Sequence, residues 1–185
     1  MNKDKYQIIY ADPPWDYKGQ TQTGKKKQQT GGALTHYPTM TTKEMIPYFK
    51  PQIDKWSDDD CLLFMWTSSP HLDQAIKLGE GWGFKYATVA FVWYKQKTNP
   101  GFYTMSQCEL CLVFKKGKIP RPRGARNIRQ LVSELRGAHS KKPNEVRERI
   151  EKMFPTQKKI EMFARTTPEG WDVFGNETTK FKSNV

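Results

Sequence analysis

Four consecutive residues, Asp12-Pro13-Pro14-Trp15, stand directly after the apolar run Tyr6-Gln7-Ile8-Ile9-Tyr10-Ala11. Two prolines in a row fix both φ angles and remove two N–H donors. The backbone carbonyls of this segment are therefore expected to face outward with no competing donor nearby. Together with the Asp12 carboxylate they would form two hydrogen-bond acceptors at a set separation, and Trp15 would add a broad π-face beside them. Such a set suits an exocyclic amino group on a flat base, adenine or cytosine alike. Both amine hydrogens are bound, the ring is stacked, and the nitrogen lone pair is pushed out of conjugation toward an electrophile. A base turned out of its helix is the usual way to deliver that amine. The bland alternative is a proline-terminated strand with Asp at a turn. The position after a buried strand, in a basic chain with six Trp, favours the chemical reading.

The elements that must hold this motif follow from the apolar pattern. Tyr6–Ala11 reads as a buried strand ended by the prolines. Thr41-Thr42-Lys43-Glu44 has capping-box spacing and opens a short helix, which Pro47 should limit. Cys61–Trp66 is a continuous apolar run, expected of a strand covered on both faces. Ser69-Pro70 starts a helix carrying Leu72, Ala75 and Ile76 on one face and closed by Gly79. Tyr86–Trp93 and Cys108–Phe114 read as strands, and Ile128–Leu135 as a short strand or a helical turn. Pro143 starts a helix with Val146, Ile150 and Met153/Phe154 on one face, and two short strands, Lys159–Phe163 and Trp171–Phe174, follow. Strands alternating with helices predict an α/β sheet with helices on its faces. Its ligand crevice lies beyond the carboxyl ends of the strands, which selects Asp12–Trp15, Thr67-Ser68, Lys95, Lys115-Lys116 and Ala164-Arg165 for inspection.

Length and charge bound the rest. The 185 residues fit one domain of ordinary size, and 31 Lys+Arg against 19 Asp+Glu leave a net charge of +12. No run of eighteen apolar residues marks a membrane span and no secretory leader is visible, so a cytoplasmic protein is expected. Cys61, Cys108 and Cys111 are too few and too apolar in setting for a disulfide scaffold. Cys108 and Cys111 have C-x-x-C spacing but no second pair, so no metal is expected. Two basic stretches remain. Residues 18–33 form a polar loop that holds Lys25-Lys26-Lys27, and residues 115–129 hold Lys115, Lys116, Lys118, Arg121, Arg123, Arg126 and Arg129 without any Asp or Glu. If both lie at the edge that bears the motif, phosphate contact explains them better than solvation alone.

The motif and its order along the chain resemble the MT-A type adenine N6-methyltransferases. That family includes the eukaryotic mRNA adenosine methyltransferase and many bacterial and phage adenine methyltransferases. Ala11–Trp15 resembles the family's catalytic motif, Tyr37–Met40 the segment downstream of it, and Leu63–Thr67 its next core strand. His139-Ser140-Lys141-Lys142-Pro143 resembles its Ser-x-Lys-Pro turn. Lys159–Arg165, Gly170-Trp171 and Gly175-Asn176-Glu177 resemble its C-terminal cofactor segment, although members often carry Asn or Gln where this chain has Glu177. The matches come in family order over nearly the whole chain.

The resemblance implies a single domain over residues 1–185 with a Rossmann-like α/β methyltransferase fold. Its sheet would be mixed but mostly parallel, with the catalytic motif N-terminal and the cofactor segment C-terminal. It implies S-adenosylmethionine as cofactor and methyl transfer to the 6-amino group of adenine. Asp12, Pro13, Pro14 and Trp15 would form the catalytic motif. Asp12, Lys142, Phe163, Arg165, Asn176 and Glu177 would hold the cofactor, Lys142 through its carboxylate. Tyr37, Trp66 and Trp93 would line the base pocket. On charge alone, and not by resemblance, Lys115, Lys116, Arg121, Arg123 and Arg126 would grip the nucleic acid. For Trp66 and Trp93 taken singly, core packing is the commoner fate of such residues. No Gly-x-Gly-x-x-Gly loop is present, which weakens a nicotinamide or flavin reading. DNA is the favoured substrate and a homodimer is compatible with the pattern. The same reaction on RNA, or a non-catalytic nucleic-acid-binding partner subunit, are the alternatives.

Overall fold

The computed structural model describes residues 5–15, 40–101, 103–137 and 141–175. Strand β1 (Tyr6–Ala11) lies inside the sheet, with parallel neighbours on both sides: β2 (Ser57–Thr67) and β6 (Lys159–Met162). Its apolar, buried stretch Ile8–Ala11 follows from that placement, since both faces must be covered. Ile9 and Ala11 point into one core and Ile8 and Tyr10 into the other, the period-2 alternation of a strand. Helices α1 (Thr42–Trp56) and α2 (Leu72–Gly81) cover the first face, and α3 (Asn144–Met153) covers the second.

The remaining strands are β3 (Lys85–Asn99), β4 (Ser106–Lys116), β5 (Leu131–Ser133) and β7 (Asp172–Phe174). The seven strands are ordered β5-β3-β4-β2-β1-β6-β7. Only β4 runs against the others, pairing antiparallel with both β2 and β3. The sheet is thus mixed and mostly parallel, as expected. Ile128–Leu135 resolves as strand β5 rather than a helical turn.

Two local expectations need correction. Helix α1 opens with the expected capping box, in which the Thr41 side chain accepts from the Glu44 N–H and the Glu44 carboxylate accepts from the Thr41 N–H. It is not limited by Pro47, however, and runs fifteen residues through both Pro47 and Pro51. Those prolines sit on the exposed face, where water can satisfy the carbonyls they leave unpaired, while Met45, Phe49 and Ile53 at four-residue spacing stay buried. Helix α2 likewise passes Gly79 and ends at Gly81. Gly79 serves packing, because a Cβ there would lie 2.4 Å from the Phe114 ring.

Candidate active site

Ala11 pairs with Met65 of β2 on one side and Met162 of β6 on the other, so Asp12 leaves the sheet between two parallel neighbours. The chain returns to β2 over one face through α1 and to β6 over the other through α3. β1 is therefore where the winding switches sides, and the crevice of an α/β sheet opens at such a point.

Four charged side chains meet there in alternating sign. Lys142 Nζ lies 3.1 Å from Asp12 Oδ1 and 3.1 Å from Glu109 Oε2, and Lys95 Nζ lies 3.4 Å from Glu109 Oε1. All are largely sequestered, with side-chain exposures of 24% for Asp12, 16% for Lys142, 17% for Glu109 and 5% for Lys95. Burial pushes the Glu109 carboxyl up, but Lys142 and Lys95 outweigh it and hold the group below its ordinary range. The set is neutral overall, which is how a site can keep four charges away from water. Lys142 also stands 5.7 Å above the Trp66 ring.

The sequence reading singled out Asp12 and Lys142 and noted Lys95, but missed Glu109. The signal was there: a lone carboxylate inside the apolar strand Cys108–Phe114 must find a partner or pay desolvation. On β6, Glu161 is raised by burial, against the opposing pull of Arg147, whose Nη1 donates to it at 2.9 Å. Burial also drives the Tyr10 hydroxyl and the Cys111 thiol well above their ordinary values.

The expectation of free proline carbonyls is corrected. The Trp15 N–H donates to the Pro13 carbonyl at 2.9 Å, and the Met40 N–H donates to the Pro14 carbonyl at 3.1 Å. The prolines supply no donor, but the next residue does, closing a three-residue turn. Each oxygen keeps a second lone pair. Trp15 is 4% exposed, its ring stacked 5.9 Å from His71 and its indole N–H donating to the Trp66 carbonyl at 3.1 Å. It therefore acts as a wall of the motif and shows no open face. Trp66 donates its N–H to the Tyr10 hydroxyl, and Trp93 donates to the Glu134 carbonyl at 2.8 Å. Both are fully buried, with Trp93 edge-on against Trp66. Trp66 thus reaches the site from below, through Lys142, and Trp93 pairs in register with Glu109.

At the end of β6, Phe163 adopts φ +60 and packs edge-on against Phe49 at 5.0 Å, followed by half-buried Arg165. Gly175 returns against this turn so closely that a Cβ would sit 2.5 Å from the Ala164 carbonyl oxygen. Tyr37, Asn176, Glu177 and the loop 18–33 lie outside the described residues.

The basic stretch 115–129 is not where the sequence reading expected it. Because β4 is antiparallel, Lys115 and Lys116 pair with Leu62 and Cys61, at the beginning of the apolar part of β2, and Lys115 also pairs with Lys85 at the start of β3. They and the loop that follows lie at the amino edge of the sheet. Lys115 is six residues along β4 from Glu109, roughly 20 Å away at about 3.3 Å per residue. Lys115, Lys116, Arg121, Arg123 and Arg126 therefore do not flank the motif.

Residues 6–177 match the MT-A70 family model. The chain belongs to the MT-A70 family. It is a methyltransferase, and the Asp12–Lys142–Glu109 cluster lies just past the end of its strand β1. The Type II methyltransferase M.MunI of Mycoplasma sp is 53% identical over all of this chain and 83% of its own length. A putative N(6)-adenosine-methyltransferase MT-A70-like protein of Medicago truncatula is 29% identical over 94% of the chain, which spans 26% of that relative. The human N(6)-adenosine-methyltransferase catalytic subunit METTL3 is 26% identical over 94% of the chain, which spans 28% of it. Among the described residues no helix is long and apolar enough to cross a membrane.

Proposed function

We propose that this MT-A70 chain transfers a methyl group from S-adenosylmethionine to the 6-amino group of adenine in DNA. The observation that carries the reading is the placement of Asp12, at the winding switch of the sheet and 3.1 Å from Lys142. The stronger identity to the Type II methyltransferase, 53% against 26–29% for the adenosine methyltransferases, supports DNA over RNA. Nucleic acid as partner also accords with the net charge of +12.

The residues present fit the cofactor. An α-carboxylate wants a cation, which Lys142 offers, and a sulfonium wants a nearby carboxylate, which Asp12 offers. The close approach of Gly175 to the Ala164 backbone leaves a tight turn beside Phe163 and Arg165, where a flat ring and a polar edge could be held. When bound, the cofactor supplies an electrophilic methyl carbon. Asp12 accepts one amine hydrogen of the base, and the second lone pair of the Pro13 carbonyl accepts the other. Displacement on carbon needs alignment and a polar site rather than a covalent nucleophile. The buried, unpaired Cys61 and Cys111 are consistent with that, and with a cytoplasmic setting. Lys142 orients Asp12, and Glu109 keeps Lys142 in place.

Incubation with isotopically labelled S-adenosylmethionine and either duplex DNA or RNA, followed by nucleoside mass spectrometry, tests the proposal. N6-methyladenine in DNA is expected. Label found only in RNA, or only on cytosine, overturns the substrate assignment.

A further inference from the structure

The displaced basic stretch is a built surface rather than a solvated loop. Lys115, Lys118, Ile119, Arg121, Arg123 and Arg126 line a groove of about 320 Å³ at the amino edge of the sheet. Five of the six are cations, and none of the five makes an ion pair among the described residues. The backbone is pinned at several points. Gly124 and Ala125 N–H groups donate to the Met153 and Lys152 carbonyls at 2.9 and 2.8 Å. Gln157 Nε2 donates to the Pro122 carbonyl at 2.7 Å, and the Lys118 N–H donates to Asp60 Oδ1 at 2.6 Å. Gly124 allows the close approach, since a Cβ would meet the Lys152 carbonyl oxygen at 2.3 Å. Arg123 lies 5.5 Å over the Phe154 ring, and its buried Nε has no hydrogen-bond partner.

Holding like charges together on a fixed frame costs electrostatic energy, and an anion with several charges at regular spacing relieves it. Arginines that present planar N–H donors match phosphate oxygens. We propose that this groove is an exosite for the phosphate backbone of the nucleic acid, separate from the reacting site and read without regard to sequence. The inference rests on the nucleic-acid reading above. The roughly 20 Å along β4 from Glu109 to Lys115 corresponds to about six base pairs of duplex rise. A phosphate in the groove therefore belongs to duplex well away from the target base, and the groove should matter only for substrates long enough to reach it.

The exposed members give a test that spares Arg123 and its packing. Lys118→Gln/Arg121→Gln/Arg126→Gln is compared with wild type on a labelled 30-base-pair duplex over a range of salt, and on methyl transfer to a six-nucleotide single strand. On the duplex, affinity should fall about tenfold or more, and the salt slope should flatten by about 0.9 per lost contact. Transfer to the short strand should be unchanged, and Arg121→Lys/Arg126→Lys should keep the salt slope of duplex binding because the charge remains. Wild-type duplex affinity and slope in the Gln variant would overturn the exosite, as would capture of anionic phospholipid vesicles or an acidic peptide with duplex binding unaffected. Equal losses on short and long substrates would also overturn it, by placing the groove in the reacting site. If wild type binds duplex with a slope that the variant loses, yet transfers no methyl to any nucleic acid, the exosite stands and the reading of the reaction falls.

Discussion

At the residue scale, Asp12 and Glu109 share one lysine but differ in what they support. Asp12 sits past the strand end, and its removal leaves Lys142 paired with Glu109. Asp12→Ala should therefore abolish methyl transfer with little change in melting temperature, and Asp12→Asn should retain less than wild-type activity, one acceptor having become a donor. Near wild-type turnover in Asp12→Ala would exclude Asp12 from catalysis. Glu109 separates two lysines, so Glu109→Gln brings Lys95 and Lys142 face to face with no anion between them. Removing one partner of a buried charge set costs about 3 kcal/mol, and partial exposure of Lys142 and Glu109 makes that an upper figure. The pH dependence identifies the cause. The Glu109 carboxyl is held below its ordinary value, so its stabilisation is complete above that value and fades as pH falls through the lower folded one. Urea unfolding from about pH 7 to about pH 3 should show a shallower acid limb in Glu109→Gln than in wild type. Glu161, raised by burial, contributes with the opposite sign in both proteins and cancels in the difference.

At the element scale, most strands and helices were legible because their apolar periods are unambiguous. Direction was not. Hydrophobic alternation in Cys108–Phe114 is the same read either way, and placing every strand's end at one edge put Lys115 and Lys116 beside the motif. The strands as read leave fourteen residues between Trp93 and Cys108, enough for a crossover, whereas in the fold they extend until only residues 100–105 join β3 to β4. A parallel return needs a dozen or more residues, so this pair had to be antiparallel. The extent of α1 escaped for another reason, since propensity penalises Pro47 and Pro51 whatever face they occupy, and only the fold shows that face to be solvent. Gly79 illustrates the same limit and yields a prediction. In an exposed helix Gly→Ala gains about 1 kcal/mol. Here the new Cβ would lie 2.4 Å from the ring of fully buried Phe114, and overpacking costs about 1–3 kcal/mol. The clash should win by roughly 1 kcal/mol, lowering the melting temperature by about 2–4 °C. A Gly79→Ala protein that melts higher than wild type would show that the α2–β4 contact has room to relax.

At the scale of the whole molecule, charge is distributed unevenly. The chain carries +12, yet the site is a balanced set of two acids and two lysines, and five cations with no ion pair among the described residues line the groove at the opposite edge. Two ligands should therefore respond differently to salt. Duplex binding through about five phosphate contacts implies a slope near −4.5, a loss of about 10²–10³ in affinity between 50 and 200 mM salt. S-adenosylmethionine carries one net charge and would meet its partners in a partly buried setting, where screening is weak, so its affinity should change little over the same range. Thermal melting reads this without any methyl acceptor. At a hundred times its dissociation constant the cofactor adds about 2.7 kcal/mol, which for a chain of this size raises the melting temperature by about 5–11 °C. That rise should persist at 200 mM salt and shrink in Lys142→Met, which removes the cation offered to the cofactor carboxylate. A rise of the same size in Lys142→Met would place the carboxylate elsewhere. A rise that vanishes with salt in wild type would mean that the cofactor is held by exposed charge rather than by the cradle at the end of β1.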